Sequence, residues 1–130
     1  MDDLHLRSES PHKGKAGLER IWLAFGFSAE GLKAALRNED AFRQELILAG
    51  VLIPVAWFCH VPSYGKAIMI ASVMLVLIVE LLNSAVEAAV DRISFENHQL
   101  AKRAKDMGSA AVFLAIINVV IVWLVILLSN

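Results

Sequence analysis

The chain has few of the features that identify a soluble enzyme. Cys59 is the only cysteine among its 130 residues, so an intrachain disulfide cannot form. The phosphate-binding pattern GxxxxGK[ST], the dinucleotide pattern GxGxxG and the metal-site patterns CxxC and HExxH are all absent. An enzyme with this sequence therefore does not use a familiar soluble nucleotide-binding motif.

The sequence also lacks a basic field and a signal peptide. The formal net charge is −1 at pH 7, so nucleic acid is not an expected partner. The first fifteen residues are polar and of mixed charge, with no apolar segment behind them, which is not the pattern of a signal peptide. We expect residues 1–16 to be a flexible polar tail, followed by one domain over residues 17–130.

Apolar residues are unusually abundant. They make up 58% of the chain, above the roughly 45–50% of soluble proteins, and the mean hydropathy is +0.61. The excess lies in three blocks, which predict membrane spans at about 40–61, 67–90 and 107–128. The last block has no charged residue and gives about 33 Å of helix, enough to cross a hydrocarbon core of about 30 Å.

Residues 17–37 have a different pattern, with apolar and charged residues at helical spacing. Trp22 and Phe25 on one face predict an amphipathic helix in the membrane interface, although a helix packed on the bundle is the alternative. Ser28 is a plausible N-cap and predicts a break between two short helices. The fold class is thus an all-α membrane protein with an N-terminal amphipathic surface helix and three transmembrane helices. Helix faces of small residues, such as Ala85, Ala88 and Ala89, favour an oligomer.

Basic residues predict the orientation. The turn at 61–66 has one, Lys66, whereas the loop at 91–106, which we expect to be helical again from about Gln99, has four. The positive-inside rule places the N-terminus and this loop in the cytoplasm and the C-terminus outside. Several charged residues then lie near one level, the cytoplasmic interface: Glu39, Glu45, Glu87, Asp91, Lys105 and Asp106.

The segment ELLNSAVEAAVD carries the most informative pattern. Glu80, Asn83, Ser84 and Glu87 fall at i, i+3, i+4 and i+7, so they form one polar stripe on a helix, which Asp91 continues. Carboxylates in so apolar a segment are costly to place in lipid and usually face the inside of a bundle. The stripe is therefore the candidate functional site.

These residue types suit phosphoryl transfer. Mg²⁺ is held by one or two carboxylates together with substrate phosphate oxygens, and Glu39 and Glu87 are placed to supply them. Lys105 is placed to meet phosphate charge. Glu80, in apolar surroundings, suits a general base acting on a lipid hydroxyl.

Each residue also has a simpler interpretation. Glu80 can act as structural glue between helices, and Arg20 can reach lipid headgroups without a catalytic role. Lys105 and Asp106 can form an ordinary ion pair at a helix start. His98, in a polar loop, is more often solvated than bound to a ligand.

Three blocks together resemble the small prokaryotic diacylglycerol kinases. They are RNEDAFRQE (Arg37–Glu45), VELLNSAVEAAVDR (Val79–Arg92) and AKRAKDMGSAAV (Ala101–Val112), and the resemblance runs from about Gly17 to the end. It implies a homotrimer in the bacterial inner membrane with active sites shared between subunits and with the N-terminus and active site cytoplasmic and the C-terminus periplasmic. The implied reaction transfers the γ-phosphate of MgATP to the hydroxyl of diacylglycerol and gives phosphatidic acid.

The resemblance also implies roles for individual residues. Glu80 takes the place of the catalytic base, and Glu39 and Glu87 take the places of the Mg²⁺ ligands. The positions that contact nucleotide are Arg20, Phe27, Glu39, Glu87, Glu96, Asn97, His98, Lys105 and Asp106. The positions near the lipid or the catalytic centre are Arg20, Glu45, Glu80, Asn83 and Ser109. Phe27 stands where relatives often have Tyr.

Two other functions remain open. Relatives in Gram-positive bacteria phosphorylate undecaprenol instead of diacylglycerol. A small non-catalytic membrane subunit, in which the carboxylate stripe relays protons or binds ions, would need Glu80 but not Glu39, Lys105 and Asp106 together.

Overall fold

Four helices make up the described part of the chain, which is residues 17–93 and 98–130 of a computed structural model. They are α1 (Gly17–Asn38), α2 (Asp40–Phe58), α3 (Ser63–Ile93) and α4 (His98–Leu128). These ranges contain no strand. The predicted tail, residues 1–16, lies outside them, as do residues 94–97 and the side chain of His98.

The predicted fold class is confirmed. Asp40–Phe58, Ser63–Ile93 and Gln99–Leu128 are each long and apolar enough to cross a membrane. α3 and α4 are longer than the spans predicted at 67–90 and 107–128, whereas α2 ends at Phe58, before the predicted end at 61. Residues such as Arg92, Lys102 and Ala104 are good helix formers. Residues 91–93 and 98–106 of the predicted polar loop are therefore helical.

The predicted break at Ser28 is wrong. α1 runs through Ser28 and Gly31 without interruption. A serine or glycine in a helix interior costs at most about 1 kcal/mol relative to alanine, which the Ala- and Leu-containing sequence around them offsets. An N-cap residue type therefore did not produce a helix start here.

The junction between α1 and α2 is held by Arg43. Glu39 is the N-cap residue of α2, with extended backbone, as expected for a helix starting near that residue. The Arg43 guanidinium donates to the carbonyl oxygens of Leu36 at 2.8 Å and Arg37 at 3.0 Å, and it also pairs with Asp40. These carbonyls end α1 and have no partner further along that helix, so Arg43 satisfies them.

α3 is the central helix and packs against both α2 and α4. Its buried residues recur at helical spacing: Gly65, Met69, Ser72, Val73, Val76, Leu77 and Glu80. The apolar part of this stripe contacts Phe42 and Ala49 of α2 and Trp123 of α4. The indole of Trp123 also donates to the carbonyl oxygen of Met69 at 3.3 Å. The buried stripe of α3 thus extends from the apolar core to the Glu80 carboxylate.

The chain divides into two compact units, Met1–Ala34 and Ala35–Asn130. The described part of the first unit, residues 17–34, is a single helical stretch with exposed Trp22 and Phe25. An interfacial position for this helix stays a prediction. The second unit contains α2, α3 and α4 and, with them, the carboxylate stripe.

We expect Phe42→Ala to destabilise the second unit. Phe42 is 2% exposed and belongs to the core cluster, so its removal leaves a cavity that costs about 3–5 kcal/mol. The matched control is Phe58→Ala in the same helix, because Phe58 is 78% exposed. Thermal unfolding in detergent checks this: equal midpoints for the two variants would contradict the packing described here.

Candidate functional site

Glu80 is a carboxylate at the end of the buried stripe of α3. It is 4% exposed and follows Val73, Val76 and Leu77 on the same face. Burying a charged carboxylate in an apolar bundle is costly, so such a group is rarely kept for packing alone. Glu80 is therefore the centre of the candidate site.

Three more carboxylates lie close enough to Glu80 to interact with it electrostatically. Glu45 is on α2, Glu39 is the N-cap residue of α2, and Glu87 is two turns further along α3. Among the described residues, none of these four acids forms an ion pair with a basic side chain. Like charges this close repel one another, and a bound cation would relieve the repulsion.

Polar atoms without partners surround the same point. The Asn83 side chain hydrogen-bonds Glu80. A carboxylate oxygen of Glu45, the amide oxygen of Asn83 and the hydroxyl of Ser84 are buried and have no hydrogen-bond partner in the described chain. Most buried polar atoms in proteins are hydrogen-bonded, so a cluster of exceptions indicates a place prepared for a ligand or water.

Lys105 connects α4 to the polar stripe of α3. Its ammonium lies 2.5 Å from the Asp91 carboxylate of α3 and also interacts electrostatically with Glu87. Asp106 instead pairs with Lys102 at 2.6 Å. The alternative in which Lys105 and Asp106 pair with each other is therefore wrong. The sequence placed Asp91 on the polar stripe, one turn beyond Glu87, but predicted no individual role for it.

An apolar cleft opens beside the carboxylates. It has a volume of about 260 Å³ and is formed by α2, α3 and α4, with Glu45 among the residues lining it. Its remaining lining side chains are all apolar: Leu48, Ala49, Leu52, Val73, Val76, Ile116, Val119 and Val120. The chain thus places a carboxylate next to a surface that suits an alkyl chain.

The other predicted site residues lie on α1, on α4 or outside the described residues. Arg20 and Phe27 are exposed on α1, within the first unit. Glu96, Asn97 and the His98 side chain lie outside the described residues. Ser109 is exposed on α4, one residue beyond Gly108. Their proposed contacts with nucleotide or lipid stay predictions.

A complete protein cage for a metal ion is not present among the described residues, since no three His, Cys, Asp or Glu side chains are grouped to form one. The predicted Mg²⁺ site has only two protein ligands, Glu39 and Glu87, and takes its other oxygens from substrate and water. The carboxylates around Glu80 are of the type that Mg²⁺ prefers, so the residues present fit this ion.

Comparisons with known proteins identify a matching family and several similar chains. Residues 26–127 match the family described as prokaryotic diacylglycerol kinase. The chain is 55% identical over 122 residues to a diacylglycerol kinase of Pseudomonas aeruginosa, covering 94% of this chain and 99% of that protein. It is 52% identical over 114 residues to a diacylglycerol kinase of Escherichia coli (88% and 93% covered) and 41% identical over 115 residues to one of Helicobacter pylori (88% and 89%).

Proposed function

Since this chain belongs to the prokaryotic diacylglycerol kinase family and is a membrane-bound kinase, we propose that it transfers the γ-phosphate of MgATP to the hydroxyl of diacylglycerol. The product is phosphatidic acid. The observation that carries this proposal is the buried Glu80 carboxylate, with Glu39, Glu45 and Glu87 in electrostatic range of it. A base and metal-binding oxygens are thereby available at one point beside an apolar cleft.

Glu80 is the general base of the proposed reaction. The lipid hydroxyl oxygen forms a bond to the γ-phosphorus, the bond from that phosphorus to the β–γ bridging oxygen breaks, and ADP leaves. The hydroxyl proton passes to the Glu80 carboxylate. Burial of Glu80 among apolar side chains keeps water from competing for this proton and for the phosphoryl group.

Glu39 and Glu87 are the proposed Mg²⁺ ligands. Bound there with ATP, the ion would neutralise charge on the transferred phosphoryl group. Glu39 is the N-cap residue of α2 and Glu87 lies on α3, and both are within electrostatic range of Glu80. The electrostatic repulsion that each of them exerts on Glu80 supports a role that includes a cation.

Lys105 and Asp106 belong to the proposed nucleotide site. Lys105 is on α4 and pairs with Asp91, which holds its ammonium within electrostatic range of Glu87. A phosphate group at Glu87 would therefore meet a lysine that is already positioned. We assign Arg20, Phe27, Glu96, Asn97 and His98 to the nucleotide by family resemblance.

The apolar cleft is the proposed place for part of the lipid. Glu45 lies at the cleft and interacts electrostatically with Glu80, so a lipid hydroxyl near Glu45 would also be near the base. Asn83, Ser109 and Arg20 are assigned to the same region by resemblance. We also propose a homotrimer with shared active sites in the inner membrane of a bacterium, with its N-terminus and active site facing the cytoplasm and its C-terminus the periplasm.

The experiment that tests the function measures transfer of labelled γ-phosphate from MgATP in mixed micelles. Diacylglycerol and undecaprenol are supplied separately to the purified chain. Labelled phosphatidic acid as the main product would support the proposal. A preference for undecaprenol would change the assigned lipid substrate and leave the proposed roles of the site residues unchanged. No transfer to either lipid by a folded chain would reject the kinase assignment and favour the non-catalytic membrane subunit.

A further inference from the structure

Gly108 lies on α4 directly opposite the Asn83 side chain. A Cβ placed on Gly108 would overlap the Asn83 amide oxygen and would lie 3.3 Å from Asn83 Cγ. The same Cβ would be 3.9 Å from the Asn83 Cα, which is an ordinary contact distance. The α3 backbone therefore leaves space for a methyl group at position 108, and the Asn83 side-chain amide occupies this space.

Gly50 of α2 and Gly65 of α3 have different surroundings. A Cβ on Gly50 of α2 would meet nothing within 4 Å. A Cβ on Gly65 of α3 would meet only the apolar side chains of Ile126 and Val61, at 3.3 and 3.6 Å. Gly65 thus permits close helix packing, whereas Gly108 makes space for a polar group.

The polar group in that space acts on the base of the proposed reaction. Asn83 hydrogen-bonds Glu80 with its side chain. A carboxylate accepts hydrogen bonds, so the Asn83 NH₂ group is the donor and the amide oxygen points elsewhere. That oxygen is buried without a partner and is the atom a Cβ at position 108 would strike. The amide plane is thereby held between Glu80 and Gly108.

We propose that Gly108 is a positioning residue that acts through Asn83 on Glu80. Its missing side chain lets the Asn83 amide stand between α3 and α4 in the orientation that donates to the Glu80 carboxylate. A side chain at position 108 would turn the amide and release the carboxylate from its orientation. This inference rests on the proposed function, in which Glu80 accepts the lipid hydroxyl proton.

The test compares Gly108→Ala with Gly50→Ala, because both variants add one methyl group to a membrane helix. We expect Gly108→Ala to lower kcat by about ten-fold, with KM for lipid and MgATP changing by less than about two-fold, since base orientation matters in the transition state and less in binding. Gly50→Ala should retain the kcat of the unmodified chain. Equal kcat for the two variants would overturn the proposal.

A double substitution separates positioning from general packing. In an Asn83→Ala background the clash partner is gone, so adding Gly108→Ala should lower kcat by less than about two-fold further. A further ten-fold loss in that background would mean that position 108 acts by another route, and the proposal would fail. Single-turnover measurements with labelled ATP give the sensitivity that a slow background variant requires.

A spectroscopic readout keeps the inference distinct from the function. The side-chain amide resonances of ¹⁵N-labelled Asn83 in detergent micelles should shift in Gly108→Ala and stay in place in Gly50→Ala. Unchanged resonances in Gly108→Ala would overturn the proposed contact whatever the activity. If the unmodified chain transferred no phosphate while these resonances shifted, the contact would hold, and the catalytic role would fall with the proposed function.

Discussion

We expect Glu80→Gln to lower the rate of lipid phosphorylation by about a hundred- to ten-thousand-fold, the range for loss of a general base. The substitution keeps the shape of the side chain and its hydrogen-bonding capacity towards Asn83 but removes the carboxylate that we propose as the proton acceptor. Glu80 is 4% exposed, so water cannot readily replace it as the base. Transfer of labelled γ-phosphate to diacylglycerol in mixed micelles measures the effect.

The matched control is Glu30→Gln on α1. Glu30 is exposed and pairs only with Lys33, three residues away on the same helix, so its neutralisation should leave the rate within about two-fold. Thermal unfolding of the Glu80→Gln variant should show no loss of stability, since a neutral amide is easier to bury than a carboxylate. A folded Glu80→Gln enzyme with normal rates would remove Glu80 from the mechanism.

The second large effect is expected at the proposed metal ligands. Because only Glu39 and Glu87 are proposed to bind the ion, loss of either one in Glu39→Gln or Glu87→Gln should raise the free Mg²⁺ concentration for half-maximal activity by at least about ten-fold. The rate at low Mg²⁺ should fall accordingly. A titration of free Mg²⁺ at saturating MgATP distinguishes this from a general loss of activity.

Asp40→Asn provides the control beside Glu39. Asp40 is the next residue in the chain but pairs with Arg43 at the α1–α2 junction. Its substitution removes a negative charge at nearly the same place without removing a proposed ligand. An equal shift in Mg²⁺ dependence for Asp40→Asn and Glu39→Gln would mean that bulk negative charge, and not coordination by Glu39, attracts the ion.

Local sequence patterns determined the helices and the face that carries the polar groups. Three apolar blocks predicted three membrane helices, and the spacing of Glu80, Asn83 and Glu87 placed them on one side of the second. Both inferences depend only on the period of a helix and on the cost of polar groups in lipid. The motif blocks, which are short-range patterns as well, indicated the family that the comparisons then showed.

Helix ends were less predictable. Hydropathy marks where a helix leaves the apolar layer, but the helix continues in water as long as its residues favour that conformation. α3 therefore extends to Ile93, and α4 already begins at His98. At Ser28 the pattern of a helix start was present and had no effect, because the residues on both sides are good helix formers.

Contacts between helices were decided by the tertiary structure. Sequence spacing could not tell whether Lys105 pairs with Asp106 or with Asp91, because the choice depends on how far α4 is rotated and shifted against α3. The contact of Gly108 with the Asn83 amide and the approach of Glu45 to Glu80 depend on helix register in the same way. A helical period places a residue on a face, and only the packing of two helices decides which residue that face meets.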